Sequence, residues 1–220
     1  MIGTPCMDGR PEARYTYSLA ETVRLAERSG IDLRPVIQCY DAILPNLRNQ
    51  IVRAAVEHDF DDLIFIDADQ DWMPEWIVKL LSYPVDCVGG TYRKKQDAED
   101  YEINSTVWPL PVDPATGLLK VGSLGAGFLR LSRRALCALW QASEPYRART
   151  EPPTRWVFEY KLRNGWLQGE DTTLAAKLAS LGIPTYLDPT MTAGHTGSRR
   201  FAGDAAKWLA AQRPVPMAAE

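Results

Sequence analysis

The sequence predicts an α/β sandwich, a single domain built on a largely parallel, twisted central sheet. Three observations predict it. Short apolar runs alternate with amphipathic helical stretches through the first half of the chain, the pattern of β-α-β units. One of those runs, Leu63-Ile64-Phe65-Ile66, is apolar at every position, as a strand covered on both faces must be. The length of 220 residues, 45 % of them apolar, suits one core rather than several.

Each element has its own justification. Met1 to Pro5 is a short extended piece that ends at a proline. Residues 17 to 29 form a helix, with Leu19, Val23 and Ala26 on one face and Gly30 as its stop. Leu33 to Cys39 is a strand, and Leu44 to His58 a helix with Leu47, Ile51, Ala55 and His58 one turn apart. The Leu63–Ile66 strand precedes a helix from Pro74 to Tyr83, which carries proline in its first turn. Val85 to Gly89 is the next strand. Residues 93 to 117 lack period and are expected to be a long loop or small excursion. Leu118–Val121 and Phe128–Leu131 are strands around a Gly-rich turn, followed by a helix from Arg133 to Gln141. Residues 143 to 168 are expected to be loop-like, Thr172–Leu181 a helix, Pro184–Leu187 a strand and Asp204–Gln212 a last helix. The domain is expected to span 1–212, with 213–220 a flexible tail.

Composition narrows the function. A net charge of −3 argues against a domain made mainly to coat nucleic acid. The cysteines, Cys6, Cys39, Cys87 and Cys137, show no C-x-x-C spacing, and the last three sit in apolar surroundings, as in a reducing compartment. No apolar run is long enough to cross a bilayer, and no secretory signal is visible, so a cytoplasmic location is expected (the host cytoplasm if a phage encodes the chain).

Chemistry concentrates in three places. Asp67-Ala68-Asp69 follows the buried strand, and ligands in α/β sheets bind beyond the carboxyl ends of strands. Period two puts both carboxylates on one side, where a divalent cation, Mg2+ or Mn2+, would relieve their repulsion and could grip a diphosphate. The bland reading is a solvated acidic turn, and Asp71 reads as a cap of the next helix. An EF-hand loop is excluded, because its sixth and twelfth positions would be Trp72 and Val78. Second, Gly169-Glu170-Asp171 opens a helix, with Asp171 or Thr172 as its N-cap. It follows a loop carrying Trp156, Phe158, Tyr160 and Trp166, whose aromatic faces suit a sugar or a base. A carboxylate there, Asp171 or Glu170, could take a proton from an acceptor hydroxyl. Third, His195 lies between glycines, placed in a loop after the last strand; imidazole is a good ligand for Mn2+, and His195 joins Asp67 and Asp69 as a candidate metal ligand. His58 reads as structural.

In order along the chain, D-x-D, Gly125-Ala126-Gly127-Phe128, Gly169-Glu170-Asp171 and Gly194-His195-Thr196-Gly197 resemble the A-type (GT-A) glycosyltransferases, in particular the family-2-like small bacterial and phage members, over about residues 1 to 200. The resemblance implies a metal-dependent transfer of a sugar from a nucleoside-diphosphate sugar to a hydroxyl acceptor, a glycan or a modified phage DNA base among the candidates. It implies a nucleotide-sugar-binding half at about 1–92 and an acceptor half at about 118–200. Thr4 and Pro5, Arg48 and Asn49, Asp67 and Ala68, and Gly125, Ala126 and Gly127 would line the donor site. Asp171 would be the base of an inverting reaction, and His195 would complete the metal site. The first strand is abbreviated, and the family's basic residue after the Glu-Asp pair has no obvious equivalent; Arg199 or Arg200 would replace it at the diphosphate. Arg130, Arg133, Arg134, Arg147, Arg149, Arg155, Lys161 and Arg163 make a basic stretch compatible with phosphates or with a solvated face. Two other readings stay open: a non-catalytic sugar-binding module, and an enzyme similar to the haloacid-dehalogenase-type phosphatases, with Asp67 as nucleophile.

Overall fold

The structure, a computed structural model, describes residues 1–148 and 152–212. Its first half alternates as expected: β1 (Ile2–Cys6), α1 (Ala13–Arg28), β2 (Pro35–Cys39), α2 (Leu44–Glu57), β3 (Asp62–Ile66), β4 (Gln70–Asp71), α3 (Pro74–Ser82) and β5 (Cys87–Tyr92). A short β6 (Ile103–Asn104) follows, then β7 (Leu119–Val121), β8 (Ser123–Leu124), β9 (Phe128–Ser132) and α4 (Arg133–Ala142). Two hairpins come next, β10 (Pro145–Tyr146) with β11 (Thr154–Arg155), and β12 (Lys161–Arg163) with β13 (Trp166–Gln168). The chain continues with α5 (Glu170–Ser180), β14 (Thr185–Thr196), β15 (Arg200–Phe201) and α6 (Ala205–Ala211).

The central sheet runs β15-β14-β5-β9-β3-β1-β2, with β4 and β7 also paired to β14. It is the αβα sandwich expected, and largely parallel: β2, β1, β3, β5 and β14 run one way, and β9 runs against both of its neighbours. The two faces are read directly from β3. Leu63 and Phe65 enter one core with Ile51, Val52, Leu136 and Leu174; Ile64 and Ile66 enter the other with Tyr15, Trp72, Ile77 and Phe128. That is why the run had to be apolar throughout.

Several expectations are corrected. The strand expected at Pro184–Leu187 extends to Thr196, because β14 shifts register between Leu187 and Thr192 and resumes pairing with β5 beyond the shift. His195 therefore lies in a strand, opposite Gln70 of β4 and Phe201 of β15, not in a loop. The loop-like 143–168 region holds two hairpins. Asn164 and Gly165, both at positive φ (52° and 80°), make the turn of the second, which is the pairing a two-residue hairpin demands. Asp71 does not cap α3, whose N-cap is Met73; its carboxylate instead takes both Arg200 donors, at 2.8 and 2.6 Å. Nor does Asp171 or Thr172 cap α5, which starts one residue after Gly169. Arg149 and the tail from 213 fall outside the described residues. Among the described residues, no helix is long and apolar enough to cross a membrane.

Four members of the basic stretch are engaged by the protein's own groups. Arg133 pairs with Asp59, Arg134 with Asp86, and Arg155 donates to the Ser143 carbonyl. Arg130, with its side chain 3 % exposed, lies in the sheet and donates to the carbonyls of Leu80, Tyr83 and Val85 at the end of α3, with Asp62 at 3.3 Å. A buried guanidinium that satisfies that many acceptors leaves all of them stranded when it is removed. Arg130→Met is expected to lower unfolding free energy by about 3 kcal/mol, and Arg130→Lys, a point charge without the planar fork, to recover only part of it. Urea denaturation of the purified variants measures both.

Candidate active site

The carboxyl ends of β1, β3, β5 and β14 share one edge of the sheet, and the antiparallel β9 enters from that edge. The edge therefore gathers Pro5–Cys6, Asp67–Asp69, the Arg93–Lys95 segment, Thr196 and, just before β9, Gly125–Gly127.

At its base is Arg48, carried on α2 and 2 % exposed at its side chain. Nη2 donates to Asp67 Oδ1 at 2.9 Å and Nη1 to the Ala126 carbonyl at 3.3 Å, while Nε stands 3.9 Å from Glu170 Oε1. Phe65 and Phe158 lie with ring centroids 5.5 and 5.6 Å from the guanidinium. Burial pulls its pKa down, but the charges of Asp67, Asp171 and Glu170 more than compensate and hold it fully protonated. Asp67 is pushed above the ordinary carboxylate value by burial, with Arg48 opposing. Asp171 receives the Ala126 N–H on Oδ1 at 3.0 Å; burial, aided by the Glu170 charge, pushes it up to about 6. Ala126 thus offers its carbonyl to Arg48 and its N–H to Asp171. Its flanking glycines are needed for space: a Cβ on Gly127 would lie 2.6 Å from Asp67 Oδ2, and one on Gly125 would overlap the Tyr92 ring.

Asp69 faces the other way. His195 Nε2 is 3.6 Å from its Oδ1, and Lys95 Nζ 2.5 Å from its Oδ2. Burial would raise the Asp69 pKa, yet a protonated His195, together with Lys95, brings it below the ordinary value. His195 Nδ1 is 2.9 Å from the Arg93 carbonyl. A carbonyl can only accept, so Nδ1 carries the proton and, in the neutral ring, Nε2 presents a lone pair toward Asp69. Two acceptors facing each other at 3.6 Å repel, unless a proton or a cation lies between them. That separation is less than twice a metal–ligand bond of about 2.1 Å, so one cation could touch both. Asp69 Oδ1 is buried with no hydrogen-bond partner, and so are Thr196 Oγ1 and both polar atoms of the neighbouring Gln70 side chain. These donors fit a hard divalent ion that completes its shell with phosphate or water. No group of three or more His, Cys, Asp or Glu side chains is arranged as a full cage among the described residues. Asp69 and His195 are brought together; Asp67 is held toward Arg48 instead.

The other expected residues fall in different places. Pro5, Ala68, Asp69, Lys95 and Thr196 line one cleft. Thr4 is fully buried, its hydroxyl 2.5 Å from that of Tyr15. Asn49 uses its amide on the Phe158 backbone, donating to the carbonyl at 3.0 Å and accepting the N–H at 2.8 Å, which ties α2 to the segment before the second hairpin. Arg199 lies on the surface, paired with Asp97 and 4.9 Å from the Phe201 ring centroid. Trp166 is 79 % exposed on the hairpin leading to Glu170. Sequence reasoning missed Lys95 and the Arg93 carbonyl: the basic run Arg93-Lys94-Lys95 lies a few residues beyond the strand expected at Val85–Gly89, but nothing in it says which cation reaches Asp69.

No family model matches the chain, and no curated protein matches it in sequence. Solved structures do. A197 from STIV is 17 % identical, with a TM-score of 0.53 over 90 % of this chain and 86 % of its own. GalNAc-T7, solved with UDP, GalNAc and Mn2+, gives 14 % identity and a TM-score of 0.44 over 87 % of this chain and 37 % of its own. A glycosyltransferase involved in glycosylation of the major capsid of PBCV-1 gives 16 % and 0.32 over 61 % of each chain. At such identities a likeness is one of fold alone, and of the three only A197 superposes closely enough to support even that.

The raised Asp171 carboxyl yields a stability prediction. Its ordinary value is 3.8 and its folded value about 6, so its stabilising contribution is complete below pH about 4 and is lost as pH rises through 6. Asp171→Asn removes the buried charge and keeps an acceptor for the Ala126 N–H. The variant is expected to be more stable than the parent at pH 7.5, by about 2 kcal/mol, and level with it near pH 4. Thermal melts across that range check it.

Proposed function

We propose that the chain is a glycosyltransferase that moves a sugar from a nucleoside-diphosphate donor to a hydroxyl acceptor with the help of Mg2+ or Mn2+. One observation carries the reading: Asp69 Oδ1 and His195 Nε2 confront each other across 3.6 Å, with His195 Nδ1 committed to the Arg93 carbonyl, and Asp69 lines a cleft at the carboxyl ends of the strands. The ion would be held by Asp69 and His195, with Asp67 as the further candidate ligand the D-x-D pattern suggests. When bound, it supplies Lewis-acid stabilisation of the departing diphosphate.

The remaining roles belong to the protein. Pro5, Ala68 and Thr196 border the space for the nucleotide and diphosphate. The Gly125-Ala126-Gly127 turn, which its glycines allow to pack against Tyr92 and Asp67, would back the donor sugar. Arg48 orients Asp67 and, through Ala126, the loop that holds Asp171. Asp171 is the base for the acceptor hydroxyl: with its carboxyl near 6 it is ionised at neutral pH yet far more basic than an exposed aspartate. Glu170 beside it raises that basicity and is the substitute should Asp171 prove dispensable. The acceptor would enter past the hairpin of β12 and β13, where Trp166 offers an exposed ring. The phosphatase alternative needs a free Asp67 as nucleophile, and the ion pair of Asp67 with Arg48 favours the transferase reading over it.

Three experiments test the proposal. Hydrolysis or transfer of a panel of nucleotide sugars is expected to require Mn2+ or Mg2+ and to vanish in chelator. Asp69→Asn and His195→Ala are each expected to weaken Mn2+ binding roughly 10- to 100-fold while melting within a few degrees of the parent. Asp171→Asn is expected to lose turnover by roughly two to four orders of magnitude with donor binding retained, and the parent rate to climb as pH passes 6. Full turnover in chelator, or an active Asp171→Asn enzyme, would refute the corresponding role.

A further inference from the structure

We infer that Lys95 is an internal cation that occupies Asp69 in the empty cleft and turns to the diphosphate when donor binds. The inference rests on reading the cleft as a donor site and adds to it a residue outside the D-x-D, Glu-Asp and histidine positions.

The observations are geometric. Lys95 Nζ sits 2.5 Å from Asp69 Oδ2, while Oδ1 of the same carboxylate faces His195. The lysine reaches this point from a fastened loop. Arg93 bridges to Tyr101 across the loop base, and its guanidinium donates to the carbonyls of Asp97, at 2.5 Å, and Ala202, at 3.3 Å. Lys94 N–H donates to the Asp100 carbonyl at 2.9 Å, and Asp97 is tied to Arg199. The stem of Lys95 crosses Gly197, where a Cβ would come within 3.0 Å of Lys95 Cδ. The ammonium is therefore delivered to the mouth of the cleft by its backbone. Yet the side chain remains 37 % exposed and borders the same cleft as Pro5, Ala68 and Thr196, so its last bonds can rotate. The Arg93 carbonyl that fixes the His195 tautomer lies two residues before it, so one loop controls both partners of Asp69.

Charge then assigns the function. A lysine on Asp69 and a divalent cation on Asp69 repel each other, so Lys95 weakens metal binding to the empty protein. A diphosphate brings negative charge that both cations can share. Lysine is a compact point charge on a flexible stem, suited to exchanging a carboxylate for a phosphate oxygen. The result is ordered loading, in which metal is held loosely until it arrives with the diphosphate.

The test uses two probes on the full chain: Mn2+ alone, followed by electron paramagnetic resonance of the free ion, and inorganic pyrophosphate at saturating Mn2+, followed by calorimetry. For Lys95→Met, Mn2+ alone is expected to bind about five-fold tighter and pyrophosphate about ten-fold weaker; Lys95→Arg is expected to restore both toward the parent. Opposite signs are the signature. Pyrophosphate binding that is unchanged or tighter in Lys95→Met overturns the inference and leaves Lys95 a plain ion-pair partner, and so does Mn2+ binding that is unchanged or weaker. A parent protein that binds no Mn2+ overturns the inference together with the donor-site reading, whereas a parent that binds Mn2+ and pyrophosphate but whose Lys95→Met behaves identically overturns the inference alone.

Discussion

A single buried cation organises this molecule. Arg48 is enclosed by Phe65 and Phe158 and surrounded by Asp67, Glu170 and Asp171, three carboxylates from two distant stretches of chain. A guanidinium cannot shed its proton, so burial must be matched by anions and acceptors. The chain meets that condition by bringing the end of β3, the turn before β9 and the start of α5 to one point. The same requirement leaves negative charge in excess there. Burial, with that excess behind it, raises Asp67 and Asp171, and the excess makes the surroundings receptive to further positive charge.

The reversed strand is what allows this convergence. With β9 antiparallel between β3 and β5, its first residue lies level with the last residue of β3, Ile66 opposite Phe128. The Gly125–Gly127 turn is thereby set against Asp67, whose N–H donates to the Gly127 carbonyl at 3.0 Å. A fully parallel arrangement would have put that turn at the opposite edge. On the other side, the register shift in β14 carries the strand past its natural end until His195 and Thr196 reach the Asp69 loop, where the Thr196 N–H donates to the Asp69 carbonyl at 2.8 Å. The two irregularities of the sheet are both spent on the site.

Much of this was legible in the residues, and what was not has identifiable causes. Element type followed from apolar spacing, which is why Leu63–Ile66 and α2 were placed to within a residue or two. The reversal of β9 was not legible, because a five-residue apolar run reads the same both ways. The extent of β14 was hidden by Asp188-Pro189 and Gly194, which look like a stop; the first two fall inside the interval where the register shifts. The Asn164-Gly165 pair is a hairpin signal, masked by the Arg- and Pro-rich residues around it. At the site, residue types located the acids and His195 but not their partners. Asn49 looked like a ligand residue, yet its amide is consumed by the backbone of Phe158. Lys95 meets Asp69 through the loop that carries it, a tertiary fact no local pattern encodes.

Among the described residues, the two hairpins between α4 and α5 pair only within themselves and share no ladder with the central sheet. The first is moored to α2 through Asn49 and the Thr154 hydroxyl, which donates to the Asn49 carbonyl, while the second stands out with Leu162, Trp166 and Leu167 uncovered. Natural drift or deliberate grafting can therefore replace the outer hairpin, in length and in chemistry, without disturbing the core or the Arg48 cluster. On the proposed reading, chains of this architecture could diverge in their acceptor while keeping their donor site, and a chimera that exchanges residues 161–168 alone is the smallest unit of such retargeting.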